Sequence, residues 1–210
     1  MTNWRALQVV SVIVLAASGL QAQQVEITPF IGGQINGGVN YSSRNYTRAE
    51  LNNALTYGFA AGYSLSDVVQ VEFQWNRSTA DLNGVPPNGG PQTKAFNMRI
   101  NHFFGDVLFH VAGKEDRLKP FILVGGGASI FSPDATNTSS LTRPALGLGG
   151  GVKYFATRKI GLRLQMRWLP INMYTSQSST WCGPITGCWS MGSDHYLHSL
   201  EFTTGVGFRF

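Results

Sequence analysis

The segment Glu201–Phe210 alternates without a break. Phe202, Thr204, Val206, Phe208 and Phe210 fall on one face, and Glu201, Thr203, Gly205, Gly207 and Arg209 on the other. A two-residue period over this length specifies a β-strand with one apolar face. An apolar strand left as a free sheet edge invites aggregation. Pairing the last strand with the first removes that edge, and within hydrocarbon closure is the way a sheet satisfies its backbone. The segment therefore predicts the closing strand of a barrel with lipid on one side.

Residues 1–22 fit an export leader. Met1–Arg5 carries one basic residue, Ala6–Leu20 is largely apolar, and cleavage is expected after Ala22. The apolar run is short of the roughly 20 residues a spanning helix needs. Residues 23–210 then form one domain, in which no stretch approaches the apolar length of a membrane helix. Only 13% of the chain is charged, and it contains 25 glycines. Its basic residues are dispersed, which argues against a nucleic-acid partner.

Eight alternating segments are legible. They run over Val25–Ile35, Leu55–Leu65, Val68–Ser78, Lys94–Val111, Lys119–Phe131, Ala145–Phe155, Ile160–Trp168 and Tyr196–Phe210. In the third, Val69, Val71, Phe73 and Trp75 alternate with Gln70, Glu72, Gln74 and Asn76. In the seventh, Ile160, Leu162, Leu164, Met166 and Trp168 alternate with Gly161, Arg163, Gln165 and Arg167. Phe96, Met98 and Ile100 in the fourth segment alternate with Asn97, Arg99 and Asn101, and Gly105 suggests a bulge there. The fifth segment is apolar or glycine on both faces, so its register stays open. Connections after the second, fourth and sixth segments are short. Those at Asn36–Ala54, Thr79–Thr93, Ser132–Arg143 and Thr175–His195 are long and polar. An even strand count with this rhythm fits a transmembrane barrel with periplasmic turns, external loops and both termini in the periplasm. The expected fold is an all-β, eight-stranded, antiparallel up-and-down transmembrane barrel.

The leader, the KPFILVGGGASIF segment, the LGLGGGVKYFATRKIGLRLQMRW hairpin and the terminal FTTGVGFRF resemble the small OmpA/OmpX-type outer-membrane barrels. The resemblance implies a bacterial outer-membrane location and contact with membrane lipid and lipopolysaccharide. It implies a monomer without a cofactor, delivered by the barrel-assembly machinery with Phe208 and Phe210 as its assembly signal. No peptidoglycan-binding domain is expected beyond the barrel, so cell-wall anchoring is not carried over. An envelope-structural or surface-interaction role is expected, with limited small-solute passage. A lipid A-modifying enzyme, a narrow channel and a soluble ligand-binding barrel stand as alternatives.

With the apolar faces outward, Glu72, Arg99, Lys153, Arg163, Arg167, Glu201 and Arg209 point into the lumen. An eight-stranded barrel has an interior just wide enough for side chains to fill. Glu72 and Glu201 are expected to pair with Arg99, Arg163 or Arg167, as structural filling or as the gate of a narrow pore. For hydrolysis, a serine, a histidine and a carboxylate must converge. His198, Ser199 and Glu201 are close in sequence, but neighbours on a strand face opposite sides, so no catalytic set is expected. His102 and His110 read as structural. Cys182 and Cys188 are a closely spaced pair in an exported chain and are expected to form a disulfide rather than a metal site. The triplets Gly125–Gly127 and Gly149–Gly151 lie inside strand patterns and read as room for opposing lumen side chains.

Overall fold

The computed structural model describes residues 24–40, 48–86, 88, 90–111, 116–134, 139–173, 179–183, 187–191 and 196–210. The expected leader at 1–22 lies outside them. Twelve strands are present among the described residues. They are β1 (Val25–Asn36), β2 (Gly38–Asn40), β3 (Arg48–Leu51), β4 (Ala54–Ser64), β5 (Val69–Val85), β6 (Thr93–His110), β7 (Leu118–Pro133), β8 (Leu141–Phe155), β9 (Ile160–Asn172), β10 (Ser179–Gly183), β11 (Gly187–Met191) and β12 (Tyr196–Arg209).

Eight of these, β1, β4 to β9 and β12, form an antiparallel barrel in which each strand pairs with the next. β12 closes it by pairing with β1, from Glu26 opposite Arg209 to Asn36 opposite Ser199. The free edge threatened by the Glu201–Phe210 pattern is thereby paired on both sides, with β1 and with β9.

Turn chemistry explains the short connections. Ser66 Oγ accepts the amides of Val68 and Val69 at 3.3 and 3.0 Å, and Leu65 N donates to Val69 O at 2.9 Å. Thr157 Oγ1 does the same for Lys159 and Ile160 at 3.3 and 3.0 Å. Hydroxyl groups that bond the next backbone amides favour a tight reversal over continued strand.

At the other end the strands outrun a membrane. β5, β6 and β7 are 17, 18 and 16 residues long, against roughly 9–11 for a spanning strand. Two sequence expectations are corrected here. The third segment does not end at Ser78: β5 continues to Val85, where its upper end pairs with both β3 and β6. Gly105 marks no bulge, since it pairs in regular register with Phe73 and Gly126. The β5–β6 register shift lies instead between Leu82 and Asn83.

The overrun matters because the polarity of the two faces reverses along it. Along the lower part of β5, Val69, Val71, Phe73 and Trp75 face outward and Gln70, Glu72, Gln74 and Asn76 are buried. Further up, Arg77, Thr79 and Asp81 face outward, and Ala80 and Leu82 are buried. β6 mirrors this, with Phe103 and Phe109 outward below, and Asn97, Arg99 and Asn101 outward above buried Met98 and Ile100. Outside the hydrocarbon, the outer face meets water and the interior takes the apolar side chains. The barrel top is thus packed as an ordinary soluble core.

The fifth segment also acquires its register. Ile122 is 62% exposed and Leu123 1%, so Lys119, Phe121, Leu123, Gly125, Ser129 and Phe131 point inward. Gly125 is needed there, because a Cβ on it would overlap Asp106 Oδ1 of the neighbouring strand.

Candidate functional site

Alternation on separate strands delivers the interior groups. β5 supplies Gln70, Glu72, Gln74 and Asn76, β9 supplies Arg163, Gln165 and Arg167, and β8 supplies Lys153. β1 contributes Glu26, β6 Asp106, and β12 Glu201 and Arg209. Most of these side chains meet across the lumen, while Arg209 joins Glu26 on the adjacent strand and Arg163 joins Gln165 along its own.

Arg163 Nη1 and Nη2 donate to Glu72 Oε2 and Oε1 at 2.6 and 2.8 Å, a bidentate pair with both side chains buried. Lys153 Nζ lies 2.5 Å from Glu26 Oε1 and 2.9 Å from Gln70 Oε1, while Arg209 Nη2 reaches Glu26 Oε2 at 3.2 Å. Arg167 pairs with Asp106 and also donates to Gln74 Oε1 at 2.9 Å. Glu201 accepts from the amides of Gln74, at 3.4 Å, and Asn76, and Asn76 also reaches Thr56 Oγ1 at 3.1 Å.

Within this lattice four cations, Lys153, Arg163, Arg167 and Arg209, face four carboxylates, Glu26, Glu72, Asp106 and Glu201, while Lys119 and Arg143 are further buried cations beyond it. Pairing within the lattice matters, because an unpaired buried charge is strongly destabilising. Phenylalanine rings sit against the guanidinium groups: Arg163 lies 5.0 Å from the Phe121 centroid, Arg167 4.9 Å from Phe104 and Arg209 3.7 Å from Phe155. A cation over a ring face gains quadrupolar attraction while it is shielded from water.

Above the ionic layer, His102 Nδ1 lies 2.7 Å from Ser129 Oγ and His102 Nε2 3.4 Å from Gln34 Nε2. Above that, Ala80, Leu82, Phe96, Met98, Ile100, Phe131, Leu169 and Ile171, with further residues of the same cluster, form an apolar seal. Met98 and Leu169 are both 0% exposed. Burial of each such side chain contributes about 1.5–3 kcal/mol. The interior therefore has two layers in series, charged below and apolar above.

The structure places the candidates as follows. Glu72, Lys153, Arg163, Arg167, Glu201 and Arg209 point inward, and Glu72 pairs with Arg163. Glu201 takes amide donors in place of an arginine. Arg99 corrects the expectation: it is exposed on the outer face, because Met98 and Ile100 occupy the interior at that height. Two members were missed, Glu26 and Asp106. The glycine at 125, opposite Asp106, was the signal available for the second.

The wall separates the possible catalytic residues. Ser199 and Glu201 are buried inside, where Ser199 Oγ donates to Asn36 Oδ1 at 2.9 Å. His198 is outside, stacked on Trp168 at 5.6 Å with a 14° interplanar angle. Among the described residues a serine–histidine contact is present at Ser129–His102, which is fully buried and has an amide, not a carboxylate, at the other histidine nitrogen. In the β10–β11 hairpin the backbone register sets Cys182 directly opposite Cys188.

Solved structures share this architecture. Outer membrane protein OprG from Pseudomonas aeruginosa superposes with a TM-score of 0.66 at 10% identity, over 90% of this chain and 95% of its own. Neisserial surface protein A gives 0.56 at 16% identity over 90% and 97%. The N-terminal β-barrel domain of Pseudomonas aeruginosa OprF gives 0.52 at 16% over 89% and 97%. At these identities the likeness is one of fold. No curated protein sequence matches the chain. The family model described as the outer membrane protein beta-barrel domain matches residues 11–210. With that match over a closed eight-stranded barrel, the chain belongs to the outer membrane protein beta-barrel family.

Proposed function

We propose that the protein is a sealed outer-membrane barrel, a structural and surface-interaction element of the envelope whose working part is its external end. The observation that carries this reading is the stacking of two closed layers in the lumen, the Glu26–Glu72–Asp106–Glu201 ionic lattice and the Met98–Ile100–Leu169 apolar seal. An ion entering from below meets paired charges of both signs that fill the lumen. One entering from above meets hydrocarbon side chains, where desolvation opposes passage. What remains accessible is the rim, where the upper ends of β5 and β6 carry polar residues outward.

The same reading includes export by a cleaved leader at residues 1–22, monomeric insertion by the barrel-assembly machinery, and Phe208 and Phe210 as the assembly signal. Phe208 is 40% and Phe210 75% exposed on the outer wall, where a receptor for a closing strand could reach them. The decisive experiment is planar-bilayer recording of detergent-folded protein, coupled with labelling of an Asn53→Cys variant by an impermeant maleimide on intact cells. A silent bilayer and a labelled cell surface are expected. Discrete conductance steps from the unmodified protein would overturn the sealed lumen, and an unlabelled surface would overturn the role of the rim.

A further inference from the structure

Arg143 is a cation set in the apolar layer of the lumen. It projects inward from β8 between Leu141 and Ala145 and is only 7% exposed. Across the register, Phe131 stands opposite Leu141 and Ile171 opposite Ala145, and all four belong to the apolar cluster. Nε and Nη2 of Arg143 are buried without a hydrogen-bond partner, and among the described residues no carboxylate pairs with it. Arginine does not release its proton in a protein, and an unpaired buried charge is strongly destabilising. The missing counter-charge has to come from outside these residues.

The two unpartnered nitrogens define the shape of what is missing. Nε and Nη2 form one edge of the guanidinium plane, and their parallel N–H bonds are the fork that a carboxylate, or one halide ion, bridges. A third donor stands on the neighbouring strand. Ser129 lies directly opposite Arg143 and also points inward, a relationship that brings Cβ atoms to about 4.5–5.5 Å. Gln34 Nε2 can only donate, so His102 Nε2 accepts and the ring proton sits on Nδ1. Nδ1–H then donates to Ser129 Oγ at 2.7 Å, which leaves the Ser129 hydroxyl hydrogen for another acceptor.

We propose that Arg143 and Ser129 form a buried site for one small monovalent anion, a halide or the carboxylate of a short acid, taken up from the external end. The surrounding hydrocarbon selects its charge: a divalent anion such as sulfate loses more hydration than one guanidinium offsets. The bound anion gives the upper layer the charge balance that carboxylates give the layer below. The site requires the inward face of β8 and not the closure of the lumen, so anion binding and bilayer conductance can fail independently.

The test is urea unfolding of the detergent-folded protein, followed by heat-modifiable gel mobility. Chloride, formate or sulfate replaces gluconate, too bulky for the site, at constant ionic strength. An anion that binds only the folded barrel stabilises it by mass action, so each tenfold rise in chloride or formate above its dissociation constant should raise the folding constant about tenfold. The stronger of the two responses identifies a halide or a carboxylate occupant, and sulfate should affect the parent no more than it affects Arg143→Met. Arg143→Met should lose the chloride and formate responses. In gluconate alone it should be more stable than the parent, because an apolar side chain replaces an unpaired charge; that gain separates a lost site from a fold defect. Ser129→Ala should weaken the response, and Arg158→Gln, at the periplasmic turn, should keep it. A parent indifferent to both anions would overturn the proposal, as would an Arg143→Met variant that responds like the parent. Asp194 is the one acidic residue between β9 and β12. Were it the partner, Arg143→Met would destabilise the parent in gluconate and stabilise only an Asp194→Asn background, which would overturn the proposal too.

Discussion

Glu72 and Arg163 form a two-pronged ion pair across the full width of the barrel. Between their strands, β4, β1 and β12 intervene on one side and β6, β7 and β8 on the other. Gln74 repeats the crossing one step higher, reaching Gln165 at 3.3 Å and Arg167 at 2.9 Å. The interior thus acts as a set of cross-braces that join opposite walls, which the backbone ladder by itself cannot do.

A brace of this kind is expected to be sensitive to the loss of one partner only. Glu72→Ala leaves Arg163 buried without its carboxylate and should destabilise the barrel by about 3–5 kcal/mol. Glu72→Leu combined with Arg163→Met removes both charges and should recover most of that loss. Urea titration of the detergent-folded protein, followed by heat-modifiable gel mobility, measures both. A single variant as stable as the parent would show that the pair contributes nothing.

Two layers in series predict a specific pattern of leak. Leu169→Ala opens the apolar seal and should cost about 2–5 kcal/mol, yet the ionic lattice below still closes the path. Glu72→Ala opens the lattice, yet the seal above still closes it. Bilayer current is expected only when the two substitutions are combined. Current in either single variant would mean that one layer alone holds the lumen shut.

The parts legible in the sequence are those where one rule governs a whole strand. β9 obeys apolar-outward alternation from Ile160 to Trp168, so Arg163 and Arg167 could be assigned inward. β6 does not, because it runs from hydrocarbon into water. Met98 and Ile100 have the expected period but face the lumen instead of lipid, so Arg99, expected inward, lies outside. β7 could not be read because Phe121, Leu123 and Phe131 are as apolar as the outward Ile122 and Val124. Asp106 lay in the same difficulty, isolated among Phe104, Val107 and Leu108, and only its partner Arg167 from β9 reveals its purpose.

The reversal itself is testable by moving one charge along the outer wall. Leu164 is 49% exposed within the apolar band, and Leu164→Arg should cost about 2–4 kcal/mol at mid-membrane depth. Asn101 lies on the polar side of the boundary opposite Arg77, and Asn101→Arg should cost no more than about 1 kcal/mol, the repulsion of two like charges facing each other. Folding titrations into lipid vesicles compare the two. Equal penalties at both positions would place the boundary above Asn101.

The last prediction concerns the hairpin in the external connection between β9 and β12. Cys182 and Cys188 stand opposite one another in an antiparallel pair, a relationship that brings Cβ atoms to about 4.5–5.5 Å. A disulfide needs about 3.5–4.5 Å, so a small adjustment of this short hairpin suffices in an oxidising compartment. We expect the unreduced protein to weigh two hydrogens less than the reduced form, and to yield one cross-linked peptide containing both residues. Such a bridge would tie only a short local loop, so it should restrain the hairpin without holding the barrel. Cys182→Ala/Cys188→Ala is therefore expected to keep heat-modifiable mobility and urea stability while proteolysis of the hairpin accelerates. Alkylation of both thiols in unreduced protein would show the pair to be open, and loss of barrel stability in the double variant would show that the hairpin supports more than itself.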